Sequence, residues 1–177
     1  MLPVEKTAYE GAGVSVPSVI TRKAEPYVAI AVAGPMPKLS EFAPQKFPDL
    51  HRWMAENGVA SGMAGFFRYR RFDRSGLVEL EVGTTTLKPE KAGDGVIAGE
   101  IPAGRYAHAV HTGPYDRLHD AFLMLEGWMG GRGLTPEGDY GPDGESPACQ
   151  MEIYRVTPMQ ENDPRLWKTE ILVKLAD

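Results

Sequence analysis

The chain has 177 residues, of which 42% are hydrophobic and 24% are charged. These fractions are typical of a soluble globular protein, and this length allows one domain or two small halves that share a core. The formal net charge of −5 argues against a nucleic-acid-binding protein, because such proteins usually present a basic stripe.

Membrane and secretory classes are also disfavoured. No apolar run approaches the roughly 20 residues that a membrane-spanning helix needs, and the N-terminal residues lack the pattern of a secretory signal. The single cysteine, Cys149, cannot form an internal disulfide, which fits a reducing compartment. We therefore expect a cytoplasmic protein that contacts neither membranes nor nucleic acids directly.

The first half of the chain predicts a strand, a helix and two further strands, after an unpatterned arm of residues 1–18. Apolar side chains recur at helical spacing in residues 39–57, where Pro48 interrupts or restarts the predicted helix and Gly58 ends it. A four-residue turn that ends in Gly76 joins the last two strands. The predicted strands are rich in β-branched or alternating apolar residues and cover residues 19–33, 64–72 and 77–87.

The second half repeats this order after a charged, Gly-containing linker of residues 88–99. Residues 115–130 predict an amphipathic helix with one apolar stripe. Residues 135–147 are acidic and rich in Gly and Pro, and predict a loop. The predicted strands cover residues 101–111, 149–156 and 169–175.

The two halves also match residue by residue around their helices. Five residues recur at a constant offset of 75, pairing Phe47, Leu50, Trp53, Met54 and Gly58 with Phe122, Leu125, Trp128, Met129 and Gly133. The sequence therefore predicts an α+β fold in which duplicated βαββ units form a mainly antiparallel sheet, with helices on one face and a central cavity at the pseudo-twofold seam. The first repeat covers about residues 19–90 and the second about residues 99–175.

One acidic residue distinguishes the second repeat from the first. Glu152 stands where the first repeat has Phe67, and strand alternation places Glu152 and Tyr154 on the same face. Tyr69, the duplicate of Tyr154, is expected to approach it across the seam. A carboxylate among aromatic rings is destabilised by desolvation, and a flat lipophilic cation would relieve this cost and gain cation–π contacts.

Three tryptophans are expected near the same cavity. Trp53 and Trp128 occupy equivalent positions on the two helices, and Trp167 directly precedes the final strand. The pattern alone leaves an alternative to this ligand cavity open. In that alternative, the two helical tryptophans are core anchors, and Glu152 faces water or pairs with Arg70 or Arg155.

Four segments of the second half carry a resemblance to a known family. They read GEIPAGRYA at residues 99–107, HTGPYDRL at 111–118, EIY at 152–154 and WKTEI at 167–171. In this order they resemble the GyrI-like family, the effector-binding domain of many multidrug-sensing transcription regulators, which also occurs alone. The resemblance covers residues 19–177 as one domain and implies a duplicated βαββ fold with a central ligand cavity. It implies that Glu152 is the cation-binding acid, and the aromatic residues expected to contact ligand are Trp53, Phe67, Tyr69, Tyr115, Trp128, Tyr154 and Trp167.

The resemblance implies three functions for a stand-alone member. The first is binding or sequestration of lipophilic, cationic or planar small molecules. The second is hydrolysis of cyclopropane-bearing DNA-alkylating natural products, with Glu152 activating a water and Tyr69 or Tyr154 supplying a proton. The third is interaction with DNA gyrase. The regulators carry a helix-turn-helix ahead of this domain, and only about 18 unpatterned residues precede it here, so we do not expect a direct transcription factor.

No metal or cofactor is expected. His108 and His111 are three residues apart on a predicted strand and point to opposite faces, while Asp116 and His119 share a helical face but supply only two ligands. The Gly-rich segments lack the residues of a phosphate-binding loop, and the serines lack a nucleophile elbow. Cys149 is expected to be a buried apolar residue.

Overall fold

The structure is a computed structural model that describes residues 12–177. The strands are β1 (Gly13–Val14), β2 (Ser18–Arg22), β3 (Glu25–Pro35), β4 (Ser61–Asp73), β5 (Leu77–Thr86), β6 (Ile97–Ile101), β7 (Gly104–Thr112), β8 (Gly138–Gly141), β9 (Gly144–Pro147), β10 (Gln150–Val156) and β11 (Lys168–Lys174). The helices are α1 (Leu39–Phe42), α2 (Lys46–Glu56) and α3 (Leu118–Gly131). Within these described residues, no helix is long and apolar enough to cross a membrane.

The strands form a sheet in the order β1-β7-β11-β10-β4-β5-β3-β6, with β2 also on β7 and the β8–β9 hairpin on β4. Every pairing between these described strands is antiparallel. The prediction of an α+β fold with a mainly antiparallel sheet is therefore confirmed.

The strand order is the same on both sides of the central β4–β10 pair. Outward from the centre, one side runs β4, β5, β3 and the other runs β10, β11, β7. At the centre, Phe67 of β4 lies directly opposite Glu152 of β10. This order and register are what a twofold axis through the central pair would require. The internal duplication itself stays a prediction.

Each long helix packs on its own half of the sheet. Leu50 and Met54 of α2 are buried with Val28 of β3, while Leu125 and Met129 of α3 belong to a core that includes strands β7 and β11. Since both helices bury one apolar stripe, their other sides remain available to line the space between them.

The two long helices end in the same way. Gly58 follows α2 with a φ of 66°, and Gly133 follows α3 with a φ of 65°. In both cases the amide of the next residue donates to a helix carbonyl five residues earlier, over 2.9 Å after α2 and 3.0 Å after α3. These are Schellman motifs, which favour glycine because a side chain at positive φ is strained.

The helix predicted over residues 39–57 is divided at a different proline. Helix α1 ends at Phe42 and α2 starts at Lys46, so the break lies around Pro44. Pro48 lies in the first turn of α2, where its missing amide proton is not needed for an intrahelical hydrogen bond. Of the two predicted roles of Pro48, interrupting or restarting the helix, the structure agrees with the second, and the interruption itself lies before Lys46.

One predicted strand is divided, and two predicted irregular segments contain strands. The strand predicted over residues 19–33 is divided into β2 and β3, which pair with β7 and β6, respectively. The strand predicted over residues 101–111 corresponds to β7, whereas most of β6 lies in the segment of residues 88–99 that was predicted to be a linker. The predicted loop at residues 135–147 forms the β8–β9 hairpin, whose second strand extends the sheet beside the end of β4.

Candidate functional site

A cleft of about 1770 Å³ lies between α2 and α3 over the β4–β10 pair. Its floor, defined here as Phe67, Tyr69, Glu152 and Tyr154, comes from the two central strands. The helices supply the walls, with Phe47 and His51 from α2 and Leu118, His119, Phe122, Leu123 and Glu126 from α3. The volume exceeds the roughly 300–1,000 Å³ of a typical small-molecule pocket.

Strand alternation determines which side chains form this floor. Residues 67 and 69 of β4 and residues 152 and 154 of β10 share one face, because successive strand side chains point to opposite faces. Glu152 is 6% exposed and Tyr69 is 2% exposed. The structure thus brings together the acid and the two tyrosines that the sequence predicted.

Two phenols hold the Glu152 carboxylate. Tyr69 donates a hydrogen bond from Oη to Glu152 Oε1 over 2.8 Å, and Tyr154 donates from Oη to Oε2 over 2.6 Å. Each carboxylate oxygen therefore accepts one phenol proton. Such bonds are stronger than those between neutral groups because the acceptor is charged.

Burial and hydrogen bonding shift the pKa of Glu152 in opposite directions. Burial raises the pKa of Glu152 above its usual value, while the bonds from Tyr154 and Tyr69 lower it without reversing the shift. The pKa values of both tyrosines lie well above the usual range, mainly because they are buried and also because Glu152 is close. The phenols consequently stay protonated donors. The acid can serve as a counter-ion or exchange a proton.

The arginines proposed as alternative partners of Glu152 are engaged elsewhere. Arg155 forms a salt bridge to Glu170 over 2.7 Å, and Arg70 lies 3.6 Å from Glu81. Both arginines are on the sheet face opposite the floor, as strand alternation requires. Within residues 12–177, the Glu152 side chain forms no salt bridge, and its hydrogen bonds come from the two phenols.

Aromatic rings form a continuous cluster beside the acid. Phe47 stacks on Phe67 with centroids 5.7 Å apart and planes 9° apart, and Tyr154 meets Phe67 edge-on at 5.3 Å. Tyr115 lies 5.6 Å from Tyr154 and stacks on Trp167 at 4.8 Å. Flat faces next to a carboxylate suit a planar guest.

The tryptophans lie outside the cleft lining. Trp53 is 9% exposed and belongs to the core under α2. Trp128 packs against the core under α3 and lies 5.4 Å below the guanidinium of Arg132. Trp167 reaches the cleft through its stack on Tyr115 rather than by lining it.

Sequence reasoning missed the helical residues that do line the cleft. Phe47 and His51 are one turn apart at the edge of the α2 stripe, whereas Trp53 follows Leu50 toward the sheet. The sequence repeat could have identified one pair of these residues, because Phe47 and its duplicate Phe122 both line the cleft.

The histidines considered as metal ligands have other contacts. His108 Nε2 lies 3.3 Å from Glu170, and His111 Nε2 lies 2.9 Å from the carbonyl oxygen of Pro114. In the part of the chain that the structure describes, no group of three or more His, Cys, Asp or Glu side chains is arranged to hold a metal ion.

The fold is similar to those of several solved structures. The C-terminal domain of EcmrR shares 18% identity and a TM-score of 0.75, with 92% of this chain and 98% of that domain covered. In the EcmrR–DNA complex, the chain spans 58% of the length of the EcmrR chain, with the same identity and TM-score and 93% of this chain covered.

Two more distant structures share the fold. SAV2435 bound to tetraphenylphosphonium shares 9% identity and a TM-score of 0.57, covering 92% of this chain and 94% of that one. A protein described as a hydrolase from Listeria innocua shares 12% identity and a TM-score of 0.57, covering 90% and 91%. At these identities the likeness concerns the fold alone.

Family comparison gives the more specific result. No curated protein matches the chain. The GyrI-like small molecule binding domain, in contrast, matches residues 16–176, from just before β2 to just after β11. This match covers nearly the whole chain and confirms the resemblance found in its motifs, so the protein belongs to the GyrI-like small-molecule-binding domain family.

Proposed function

We propose that the protein binds or sequesters lipophilic small molecules that are cationic and preferably planar, with Glu152 as the counter-ion. One observation carries this proposal: a carboxylate lies at the floor of a large aromatic cleft and, within residues 12–177, has two phenols but no basic side chain as partners. A site of this kind has an unfilled requirement for positive charge.

The energetic argument concerns the desolvation of the acid. A buried carboxylate loses its hydration, and two hydrogen bonds from neutral phenols offset only part of that cost. A guest cation adds a direct Coulombic attraction, which is stronger at a buried carboxylate than in bulk water. Each aromatic face that the cation contacts contributes a further 0.5–2 kcal/mol or so. A neutral guest of the same shape gains the apolar contacts but not the charge interaction.

Family membership and one neighbour support the same class of ligand. The matching family binds small molecules. SAV2435 is solved with tetraphenylphosphonium, a lipophilic cation, although it shares only 9% identity with this chain. The cation in that structure supports the class of ligand that we propose.

A thermal-shift panel tests the proposal. Rhodamine-type dyes and tetraphenylphosphonium are compared with neutral molecules of similar shape, such as tetraphenylmethane derivatives made soluble by uncharged groups. We expect the cations to raise the melting temperature and the neutral molecules to raise it much less. Equal shifts for both classes would contradict the role of charge.

A second candidate is hydrolysis of strained electrophiles, here cyclopropane-bearing alkylators. It is favoured by the contact of two phenol donors with one acid of raised pKa, and the Listeria innocua neighbour is described as a hydrolase. As the water oxygen bonds to a cyclopropane carbon, Glu152 would accept the proton that the water loses, and the ring C–C bond would break with its electron pair moving to the conjugated carbonyl oxygen. Tyr69 or Tyr154 would protonate that oxygen and recover a proton from Glu152 through the hydrogen bond between them. Mass spectrometry would detect ring opening. Turnover that disappears in Glu152→Gln supports an enzyme, and stoichiometric protection without product supports sequestration.

The predicted interaction with DNA gyrase stays a separate prediction. It requires a protein surface rather than the cleft. Co-purification with gyrase in the absence of any small molecule tests it directly.

A further inference from the structure

The floor of the cleft offers hydrogen-bond acceptors and no free phenol protons. A tyrosine hydroxyl has one proton to donate. Tyr69 directs its proton to Glu152 Oε1, and Tyr154 directs its proton to Oε2. Both phenol oxygens and both carboxylate oxygens therefore have only lone pairs left for a guest.

We propose that the site selects planar cations that carry two N–H donors on one edge over quaternary cations of similar size. Aryl amidinium, aryl guanidinium and protonated 2-amino-N-heterocycles have this edge. The inference rests on the proposed function and names the chemical class of its ligand.

The geometry of the carboxylate favours a bidentate hydrogen-bond donor. An ionised carboxylate has about four lone-pair directions, two on each oxygen. One direction on each oxygen is occupied by a phenol, so one acceptor position per oxygen remains. Two acceptors at the spacing of a carboxylate match the parallel N–H bonds of an amidinium or guanidinium edge.

The walls beside the carboxylate favour a flat body. Phe67, directly opposite Glu152 in the sheet, stacks on Phe47 with nearly parallel planes, 9° apart. Tyr154 presents its ring at 87° to Phe67. A planar ligand can lie against these rings while its charged edge points at the acid.

A quaternary cation neutralises the charge of the Glu152 carboxylate but donates no hydrogen bond to its oxygens. Its surface consists of methyl or aryl C–H groups, which would displace water from the remaining lone pairs without replacing the lost hydrogen bonds. Glu152 is only 6% exposed, so few water molecules can remain beside the carboxylate once such a cation is bound. An acceptor left without a partner in a buried site is costly.

Three naphthalene probes separate charge from hydrogen bonding. They are 2-naphthamidinium, trimethyl(2-naphthyl)ammonium and neutral 2-naphthamide, and their Kd values are measured by isothermal titration calorimetry on the full chain. We expect the amidinium to bind at least about tenfold more tightly than the ammonium, because it adds one or two charge-assisted hydrogen bonds. The neutral amide is expected to bind most weakly.

The outcomes distinguish this inference from the proposed function. If both cations bind equally well and more tightly than the amide, the proposed function stands and the inference is overturned. If neither cation binds more tightly than the amide, the proposed function fails, and the inference fails with it. Tighter binding of the ammonium than of the amidinium also overturns the inference.

Two variants locate the effect. Tyr154→Phe keeps the carboxylate and frees one more acceptor position, so the preference for the amidinium over the ammonium should remain at least tenfold or so. Glu152→Gln, checked for folding by thermal unfolding, should bring that preference close to onefold. A preference that persists in Glu152→Gln, or is lost in Tyr154→Phe, contradicts the assignment to the carboxylate. If Glu152→Gln does not fold, Tyr154→Phe and the wild-type ratio still decide.

Discussion

At the scale of single residues, the acid in the cleft combines the proposed binding role with a cost in stability. Glu152 is buried and unpaired with any base in the described residues, and burial raises its pKa. A carboxyl group with a raised pKa opposes folding most when it is ionised. The group that we propose as the counter-ion is therefore expected to lower the stability of the empty protein.

The substitution Glu152→Gln tests this cost. Because the folded-state pKa is raised, the stabilising effect of the protonated form is fully present below the unfolded pKa and is lost as pH rises through the folded value. We expect Glu152→Gln to be more stable than the wild type at pH 8 and similar to it near pH 4. Chemical denaturation at both pH values measures the difference, and a larger gain at the lower pH would contradict this account.

A second acid on the opposite face has the reverse behaviour. The pKa of Glu170 is lowered to about 2, first by its hydrogen bond from His108 and then by Arg155, against the effect of burial. Its contribution is present above the unfolded pKa and is lost as pH falls through the folded value. Glu170→Gln should therefore destabilise the protein at pH 7, and its difference from wild type should shrink from pH 4.5 toward pH 2. A constant difference in urea titrations would show that ionisation of Glu170 has no part in it.

The residue scale also shows what a sequence can predict of a site. Glu152 and Tyr154 were predictable as neighbours because residues two apart on a strand share a face, and Tyr69 was predictable because it is the duplicate of Tyr154. The direction of Trp53 was not predictable in the same way. An apolar helix stripe is at least about 100° wide, and its pattern does not tell which edge faces the cleft and which faces the sheet.

At the scale of elements, the caps and bends were predictable to different degrees. The glycine after each helix marks a stop because of its conformational freedom, and both Gly58 and Gly133 have positive φ. The break at Pro44 was missed because either proline could interrupt a helix, and the outcome depends on where the new helix starts. The β8–β9 hairpin was missed because a neighbouring strand, β4, supplies its pairing.

A matched pair of glycine substitutions in α3 tests the capping argument. Gly133→Ala should destabilise the protein by about 1–2 kcal/mol, because alanine is strained at a φ of 65°. Gly127→Ala, in the exposed middle of the same helix, should stabilise it by about 0.5–1 kcal/mol. An added Cβ meets no atom within 4 Å at either position, so packing does not separate them. Thermal unfolding measures both, and equal effects would refute the cap.

At the scale of the whole molecule, the arrangement of the sheet explains why the site lies where it does. Two groups of three strands meet at β4–β10, and each carries its own helix, so the space between the helices opens above the central pair. The repeat in the sequence predicted two βαββ units that meet at a seam. It predicted neither the order of the strands in the sheet nor the size of the cleft, which depends on how far the two helices stand apart.

The duplication makes a structural prediction of its own. In a crystal structure, superposing the two halves should bring Trp53 onto Trp128 and Tyr69 onto Tyr154. The register supports the second pair, since both tyrosines lie two residues beyond the directly opposed Phe67 and Glu152. Finding either pair in unrelated environments would contradict the repeat.

The central claim is that the cleft binds lipophilic cations through the charge of Glu152, and a double comparison tests it most directly. The Kd values of 2-naphthamidinium and neutral 2-naphthamide are measured by calorimetry on wild type and on Glu152→Gln. We predict that the substitution weakens the cation by at least about tenfold, as expected for loss of a charge-assisted contact, and changes the neutral amide by much less. Equal losses for both probes, or no loss for the cation, would contradict the claim.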